Sequence, residues 1–349
     1  MKNSTVFNDI CAKYFIHLKI FNEEKRMGEK NKIVPVSVVI PTMNRPKSLR
    51  RTIETYVYAE TIPSQIIIVD QSQDKKIKEE VEAIIYEFCN ITEILYVYQS
   101  VPSSTKSRNK AMDLAKEEIL VFSDDDVDVK ENTISNIVDI MKRSNIAMIA
   151  GLDEDSKIVN NMYSKIGYLL GTKSFIYRRI GHVTLSVLGR YPDNMLTEEV
   201  ETQWAMGYFF VVRKSLVEKW KIRWDEKMTG YAYAEDLDFT YNYYRLALYE
   251  GYRCILSKKV IVKHLVSKEY RAPSKEFTYK YVINRIYLSY KYNMGLDSRL
   301  AIMWCDFWML IKRILYKENS KDMLKAIFTS TKYYKDIKNG FLNYDKYIV

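Results

Sequence analysis

Short apolar runs alternate with polar loops and amphipathic stretches through the first 150 residues. Val34 to Ile40 is nearly all β-branched, which predicts a strand. Pro41-Thr-Met-Asn-Arg-Pro46 ends it, because two prolines and an Asn forbid its continuation. Ser48 is then expected to cap a helix running to about Tyr58. A second strand, Gln65 to Val69, ends in the polar Asp70-Gln-Ser-Gln-Asp74, followed by a helix over Ile77 to Phe88 and a strand over Ile94 to Tyr98. Ser103 to Lys110 reads as a polar loop opening a helix over Ala111 to Lys116, and Ile119 to Phe122 as a buried strand. Strand, loop and helix repeat three times. This predicts an α/β protein with a mostly parallel sheet, right-handed crossovers and flanking helices, and with Thr42, Asp70, Arg108 and Asp124 along one sheet edge.

Before this region, Phe7, Ile10, Cys11, Tyr14, Leu18 and Phe21 share one face of an expected amphipathic helix over 6–21, followed by a charged linker from Glu23 to Lys32. After it, Thr133 to Met141 reads as a helix and Ile146 to Ala150 as a strand, and residues 151–203 show no clear period. Trp204 to Arg213 reads as a Gly-marked turn entering a strand, and Lys214 to Trp220 as a short helix. Tyr231 to Thr240 opens a helix that reaches about Tyr249 and is closed by Gly251. Glu235, Asp236 and Asp238 fall in its first turn, where the helix dipole favours carboxylates. Val260 to His264 is a further strand, and the remainder is helical and aromatic. These breaks divide the chain into 1–32 (helix and linker), 33–150 and 151–265 (two halves of one α/β domain) and 266–349 (a helical extension).

Charge changes the picture of the extension. Residues 251–349 hold 20 Lys and Arg against 8 Asp and Glu, a net +12, whereas residues 1–250 hold 34 against 36, a net −2. A cationic segment suits an anionic lipid, a lipid-phosphate substrate or a nucleic acid. Within it, Ala301 to Tyr316 carries two tryptophans followed by Lys312 and Arg313, a pattern that suits a helix lying in a membrane interface or packed on protein, a second copy of the chain included. No apolar run reaches the ~18 residues of a membrane span, and Asp9, Lys13 and Lys19 interrupt any signal sequence. The four cysteines are scattered without a CxxC pair. The expected location is the cytoplasm, with peripheral attachment to the inner face of the membrane.

The chemistry concentrates where the fourth strand ends. Asp124, Asp125 and Asp126 follow Phe122-Ser123 directly, and three adjacent carboxylates call for a cation among them. Hard oxygen ligands suit Mg²⁺ or Mn²⁺ beside a phosphate-bearing ligand, and open α/β sheets bind ligands at strand carboxyl ends. Asp126-Val-Asp128 offers a second register for the same idea. No GxGxxG follows the first strand, which disfavours an ordinary dinucleotide fold.

Taken in order, Val36-Ser-Val-Val-Ile-Pro-Thr-Met-Asn-Arg45, Ile68-Val-Asp-Gln-Ser72, Ser107-Arg-Asn-Lys-Ala111, Phe122-Ser-Asp-Asp-Asp126 and Glu235-Asp-Leu-Asp-Phe239 resemble the family 2 inverting glycosyltransferases of the GT-A fold, of the bacterial polysaccharide-assembly type. The resemblance spans roughly residues 34–265. It implies a nucleotide-sugar donor, UDP favoured over dTDP or GDP, and a glycan or lipid-linked glycan acceptor. Nucleic acid is not an expected partner. Pro41, Thr42, Asn44 and Arg45 look like the loop along the nucleotide, Asp70 and Ser72 like the base-contacting segment, and Arg108 like the basic residue near base and diphosphate. Asp124 and Asp125 look like donor contacts within the DxD-type motif. Asp126, Asp124 and His264 are the implied ligands of a divalent metal, Mn²⁺ or Mg²⁺. Asp236 looks like the catalytic base, with Trp204, Gly207 and Glu235 on the acceptor side. One departure stands out: the family often carries a second Asp where this chain has Gln71. A sugar nucleotidyltransferase would instead carry a Gly-rich basic loop after the first strand, and a non-catalytic binding module would not need both acidic clusters.

Overall fold

A computed structural model of the chain describes residues 31–155, 162–171, 180–192, 196, 199–230, 233–269 and 273–348. The expected helix over 6–21 and all but the end of the linker lie outside these residues. In chain order the first half forms β1 (Lys32–Thr42), α1 (Pro46–Val57), β2 (Thr61–Asp70), α2 (Lys75–Phe88), β3 (Glu93–Tyr98), α3 (Ser104–Leu114), β4 (Ile119–Ser123), β5 (Val127–Val129), α4 (Thr133–Met141) and β6 (Ile146–Asp153). Next come α5 (Met162–Leu169), the small hairpin of β7 (His182–Val183) and β8 (Gly189–Arg190), β9 (Val200–Glu201), β10 (Phe209–Arg213), α6 (Lys214–Lys219), α7 (Glu235–Tyr249) and β11 (Arg253–His264). Helices α8 (Ser274–Lys291), α9 (Gly295–Leu315), α10 (Ser320–Lys332), α11 (Tyr334–Lys338) and α12 (Tyr344–Tyr347) complete the chain.

The main sheet has the order β3-β2-β1-β4-β10-β6-β11-β5, with β9 on β11. Strands β3, β2, β1 and β4 are parallel, β10 runs antiparallel to both β4 and β6, and β11 is parallel to β6. One reversed strand is thus inserted into an otherwise parallel core, and only the short edge strands β5 and β9 share its direction. The near-continuous apolar runs of β1, β2 and β4 follow from burial on both faces. Val36, Val38 and Ile40 join one core layer with Leu49, Ile53 and Ile85. Val39, Ile67 and Phe122 point the other way, into a layer with Met112, Trp224 and Phe239. A third layer of Leu237, Tyr279, Ile283 and Ile302 fixes helices α8 and α9 to the domain.

The structure moves several expected boundaries. Helix α1 starts at Pro46, so Ser48 lies inside its first turn and does not cap it. The amides of Lys47 and Ser48 instead donate to the carboxylate of Glu269, from the loop after β11, at 3.3 and 2.8 Å. Residues 104–110 are not loop but the first turns of α3, capped by Ser103, because a hydroxyl there accepts from the Lys106 amide. Arg108 therefore projects from a helix.

Candidate active site

An open cleft of about 670 Å³ runs along the carboxyl ends of β1 and β4 and is closed on its far side by α7 and α8. The loop after β1 forms its floor. Thr42 Oγ1 donates to Asp125 Oδ2 at 2.6 Å, and Arg45 holds Asp125 Oδ1 at 3.0 Å and Asp126 Oδ2 at 3.5 Å. Asn44 adopts φ 56, which turns its amide onto Ser72 Oγ at 2.8 Å. Ser72 in turn donates its amide to Asp70 Oδ1 at 2.9 Å, and Tyr96 donates its hydroxyl to Asp70 Oδ2 at 3.1 Å. Asp70 is thus fully buried behind the wall, and Gln71 presents itself to the cleft in its place. The Gln71 Oε1 accepts from the Ser103 amide at 2.6 Å, tying the end of β2 to the start of α3.

The three aspartates have three environments. Asp124 pairs with Arg108 at 2.9 Å. Asp125 is buried under Thr42 and Arg45, and burial pushes its pKa up to about 7 despite both partners. Asp126 accepts the Ser267 amide at 2.8 Å on Oδ2, and His264 Nε2 lies 3.3 Å from Oδ1. Burial works to raise the Asp126 pKa, but His264, the Ser267 amide and Arg45 outweigh it and leave the carboxyl below its ordinary value. The buried Asp126 Oδ1 has His264 Nε2 as its neighbour and keeps lone-pair capacity for a cation. One ligand atom each from Asp124, Asp126 and His264 lies within 4.8 Å of the others. Two carboxylates and an imidazole fit Mn²⁺ or Mg²⁺. The alternative register through Asp128 is excluded by strand geometry: Asp128 sits in β5 and pairs outward with Arg51, Nε to Oδ1 at 2.8 Å.

Across the cleft stands the second acidic group. Ala234, in the left-handed region at φ 66, turns the chain into α7 and brings Glu235 and Asp236 inward. Asp236 accepts the Gly207 amide at 2.8 Å and the Leu237 amide at 2.8 Å. A Cβ on Gly207 would lie 3.1 Å from Asp236 Cβ, so glycine permits this approach. Burial raises the pKa of Asp236, and burial plus Asp236 itself raises that of Glu235. Asp238, also in the first turn, points away to Lys291 and Tyr292 and anchors α8. Arg108 joins the two clusters. Its guanidinium donates to Asp124 at 2.9 Å and to Glu235 at 3.3 Å, and lies 4.7 Å from the centre of the Trp224 ring.

Most of the expected residues therefore meet in one place. Pro41, Thr42, Arg45, Arg108, Asp124, Asp125 and His264 line one side, and Gly207, Glu235, Asp236 and Trp204 the other. Asn44, Asp70, Ser72 and Asp126 brace them from behind. Trp204 is largely buried, stacked against Gly189 and donating Nε1 to the Arg190 carbonyl at 3.1 Å. Gln71, noted in the sequence as a departure from the family pattern, is the neighbour of Asp70 that lines the cleft; sequence reasoning missed Tyr208, whose ring stacks on His264 at 5.0 Å while its carbonyl accepts the Asp124 amide at 2.9 Å. It also missed Tyr233, Glu276 and Phe277 on the far wall.

This is an α/β protein whose ligand cleft lies at the carboxyl ends of its parallel strands. The sequence profile of glycosyl transferase family 2 matches residues 37–220, more than half of the chain, and the chain belongs to that family of enzymes. No curated protein sequence matches the chain. Solved structures share its GT-A fold at low identity. Mannosyltransferase PcManGT from Pyrobaculum calidifontis, in complex with GDP-Man and Mn²⁺, aligns at 12% identity and TM-score 0.50 over 97% of this chain and 94% of its own. GalNAc-T7 with UDP, GalNAc and Mn²⁺ aligns at 14% and 0.52, over 89% of this chain and 59% of its own. S. aureus TarS 1-349 in complex with UDP-GlcNAc aligns at 14% and 0.50, over 88% and 89%.

Proposed function

We propose that this glycosyltransferase moves one sugar, with inversion, from a UDP-sugar to a hydroxyl of a glycan acceptor built on a lipid carrier. The observation that carries the reading is the opposition of two acidic groups: Asp124, Asp126 and His264 on one side, Asp236 on the other, linked through Arg108 and Glu235. Two of the three structural neighbours hold UDP or a UDP-sugar and the third holds GDP-Man, so the reading takes UDP first with GDP as its alternative.

The chain's own residues have separable tasks. Asp124, Asp126 and His264 would hold Mn²⁺ or Mg²⁺, which supplies positive charge against the donor's diphosphate. Thr42, Arg45 and the wall braced by Asp70 and Ser72 would receive the nucleotide. Asp236 takes the proton of the acceptor hydroxyl as that oxygen bonds to the anomeric carbon and the bond to the diphosphate breaks. A single displacement needs one base, and burial makes Asp236 a stronger proton acceptor than an exposed aspartate. The Gly207 and Leu237 amides fix its orientation while each oxygen keeps a second lone pair.

Membrane attachment rests on the extension. Helix α9 buries Ser298, Ile302 and Cys305, and exposes Leu296, Leu300, Met303, Phe307 and Ile314 along its whole length. Asp306, the charge in the middle of that helix, is buried against Arg285. On α10 the exposed Leu324 and Phe328 are flanked by exposed Lys321, Lys325 and Lys332. An apolar face with a lysine rim suits an anionic bilayer. Among the described residues no helix is long and apolar enough to cross one. Flotation with anionic vesicles tests this part; no binding removes it.

The donor reading is tested by thermal shift with UDP, GDP, dTDP and CMP, with and without Mn²⁺, on wild type and Asp126→Ala. UDP should raise the Tm of the wild type only with Mn²⁺, since a ligand of the native state stabilises it by mass action. No shift with any nucleotide overturns the reading.

A further inference from the structure

The far wall of the cleft is supplied by α8, which lies beyond the family-matched residues 37–220. Two consecutive residues of its first turn, Glu276 and Phe277, line the cleft together with Tyr233. Phe277 is 39% exposed. Its ring makes a T-shaped contact with Tyr233 at 5.2 Å, and Tyr233 makes another with the buried Tyr281 at 5.0 Å. The three rings form a series from core to cleft, which fixes the last one in place at the lip.

Glu276 is fixed as firmly. Lys280 Nζ donates to Glu276 Oε1 at 2.5 Å and to the Thr229 carbonyl at 2.6 Å, and Lys280 is 1% exposed. A surface i,i+4 pair needs no buried lysine. Here a desolvated cation instead holds a carboxylate at the cleft wall. Gly230 leaves room for the pair: at φ +68, a Cβ there would lie 3.0 Å from Lys280 Nζ and 3.1 Å from Glu276 Oε1.

We infer that Phe277 and Glu276 form a subsite for a sugar ring of the acceptor, so that the helical extension takes part in selecting the acceptor. The inference rests on the transfer reaction proposed above. A pyranose has faces of C–H bonds and a rim of hydroxyls. The ring of Phe277 offers an apolar platform to a face, and the Glu276 carboxylate accepts from a hydroxyl, the pairing of apolar lining with a few placed polar groups that small-ligand sites use. Lys280 is a positioning residue.

The test uses the full chain as wild type, Phe277→Ala, Phe277→Tyr and Glu276→Gln. Each is loaded with UDP and Mn²⁺ and titrated with the methyl β-glycosides of glucose, galactose and N-acetylglucosamine, with binding followed by saturation-transfer NMR. At least one glycoside should bind the wild type. Phe277→Ala should weaken it about tenfold and Glu276→Gln about threefold, and Phe277→Tyr should restore it. All variants should keep the Tm rise given by UDP and Mn²⁺. Unchanged binding by Phe277→Ala, or no glycoside bound by a UDP-stabilised wild type, overturns the subsite and leaves the donor reading standing. A wild type that UDP does not stabilise overturns both.

Discussion

The two sides of the cleft are built differently. The proposed donor side is local: each of its residues stands within a few positions of the end of an apolar strand or the start of a capped helix, as Thr42 and Arg45 do after β1, Asp124 to Asp126 after β4, and Arg108 in α3. Its geometry follows from strand pairing, so it could hardly form elsewhere in the fold. The proposed acceptor side is assembled from Gly207, Asp236 and Phe277, which belong to elements distant in sequence and meet only because α7 and α8 pack over the sheet. Such a wall can change its chemistry without disturbing the sheet, which is how one fold can serve many acceptors.

If the sides are separable, variants should divide accordingly. Asp236→Asn should cut transfer by up to about 10⁴-fold, the upper range for a lost general base, and still show the UDP and Mn²⁺ thermal shift; losing that shift as well would place Asp236 on the donor side. Asp126→Ala should lose the shift and cost turnover on the order of 10³-fold, read by the same two assays. Arg108→Met should affect both sides, because it leaves the partly exposed Asp124 and Glu235 without their partner. A loss of about 1–2 kcal/mol, between the scales of exposed and buried ion pairs, is expected in urea unfolding, and an unchanged midpoint would mean the two acids relax to water.

Smaller effects concern protons and the loop after β11. As the proposed base Asp236 must be deprotonated to act, and burial raises its pKa, so kcat/KM should fall on acidification at a pH above the ~3.9 of an ordinary aspartate. Arg108 counteracts that rise, so Arg108→Met should move the acid limb further towards neutrality. Glu269→Ala should cost only about 1 kcal/mol, the scale of a lost helix cap, since its carboxylate serves the first amides of α1. Turnover should barely change.

The strands and the Asp run were readable from sequence because a buried parallel strand shows as a short apolar run that stops abruptly. Arg108 was identified, but its helix was not, since Ser103 to Lys110 is too polar to show a helical period; the cap at Ser103 was the available signal. Asp70 looked like a nucleotide contact, whereas Ser72 and Tyr96 take both its oxygens and Gln71 faces the cleft, a choice decided by side-chain partners. Phe277 carried no local signal at all. Its place at the cleft lip depends on packing against Tyr233, more than forty positions upstream.

Met206-Gly207-Tyr208 leads into the reversed strand β10 and touches both sides at once. The Tyr208 carbonyl holds the Asp124 amide, its ring lies on His264, and the next amide upstream, that of Gly207, holds Asp236. A shift of this tripeptide when the nucleotide settles would be transmitted to the proton acceptor across a single peptide unit. Occupancy of one pocket would then tune readiness in the other, which favours a compulsory kinetic order with the donor first and little wasteful loss of its sugar to water.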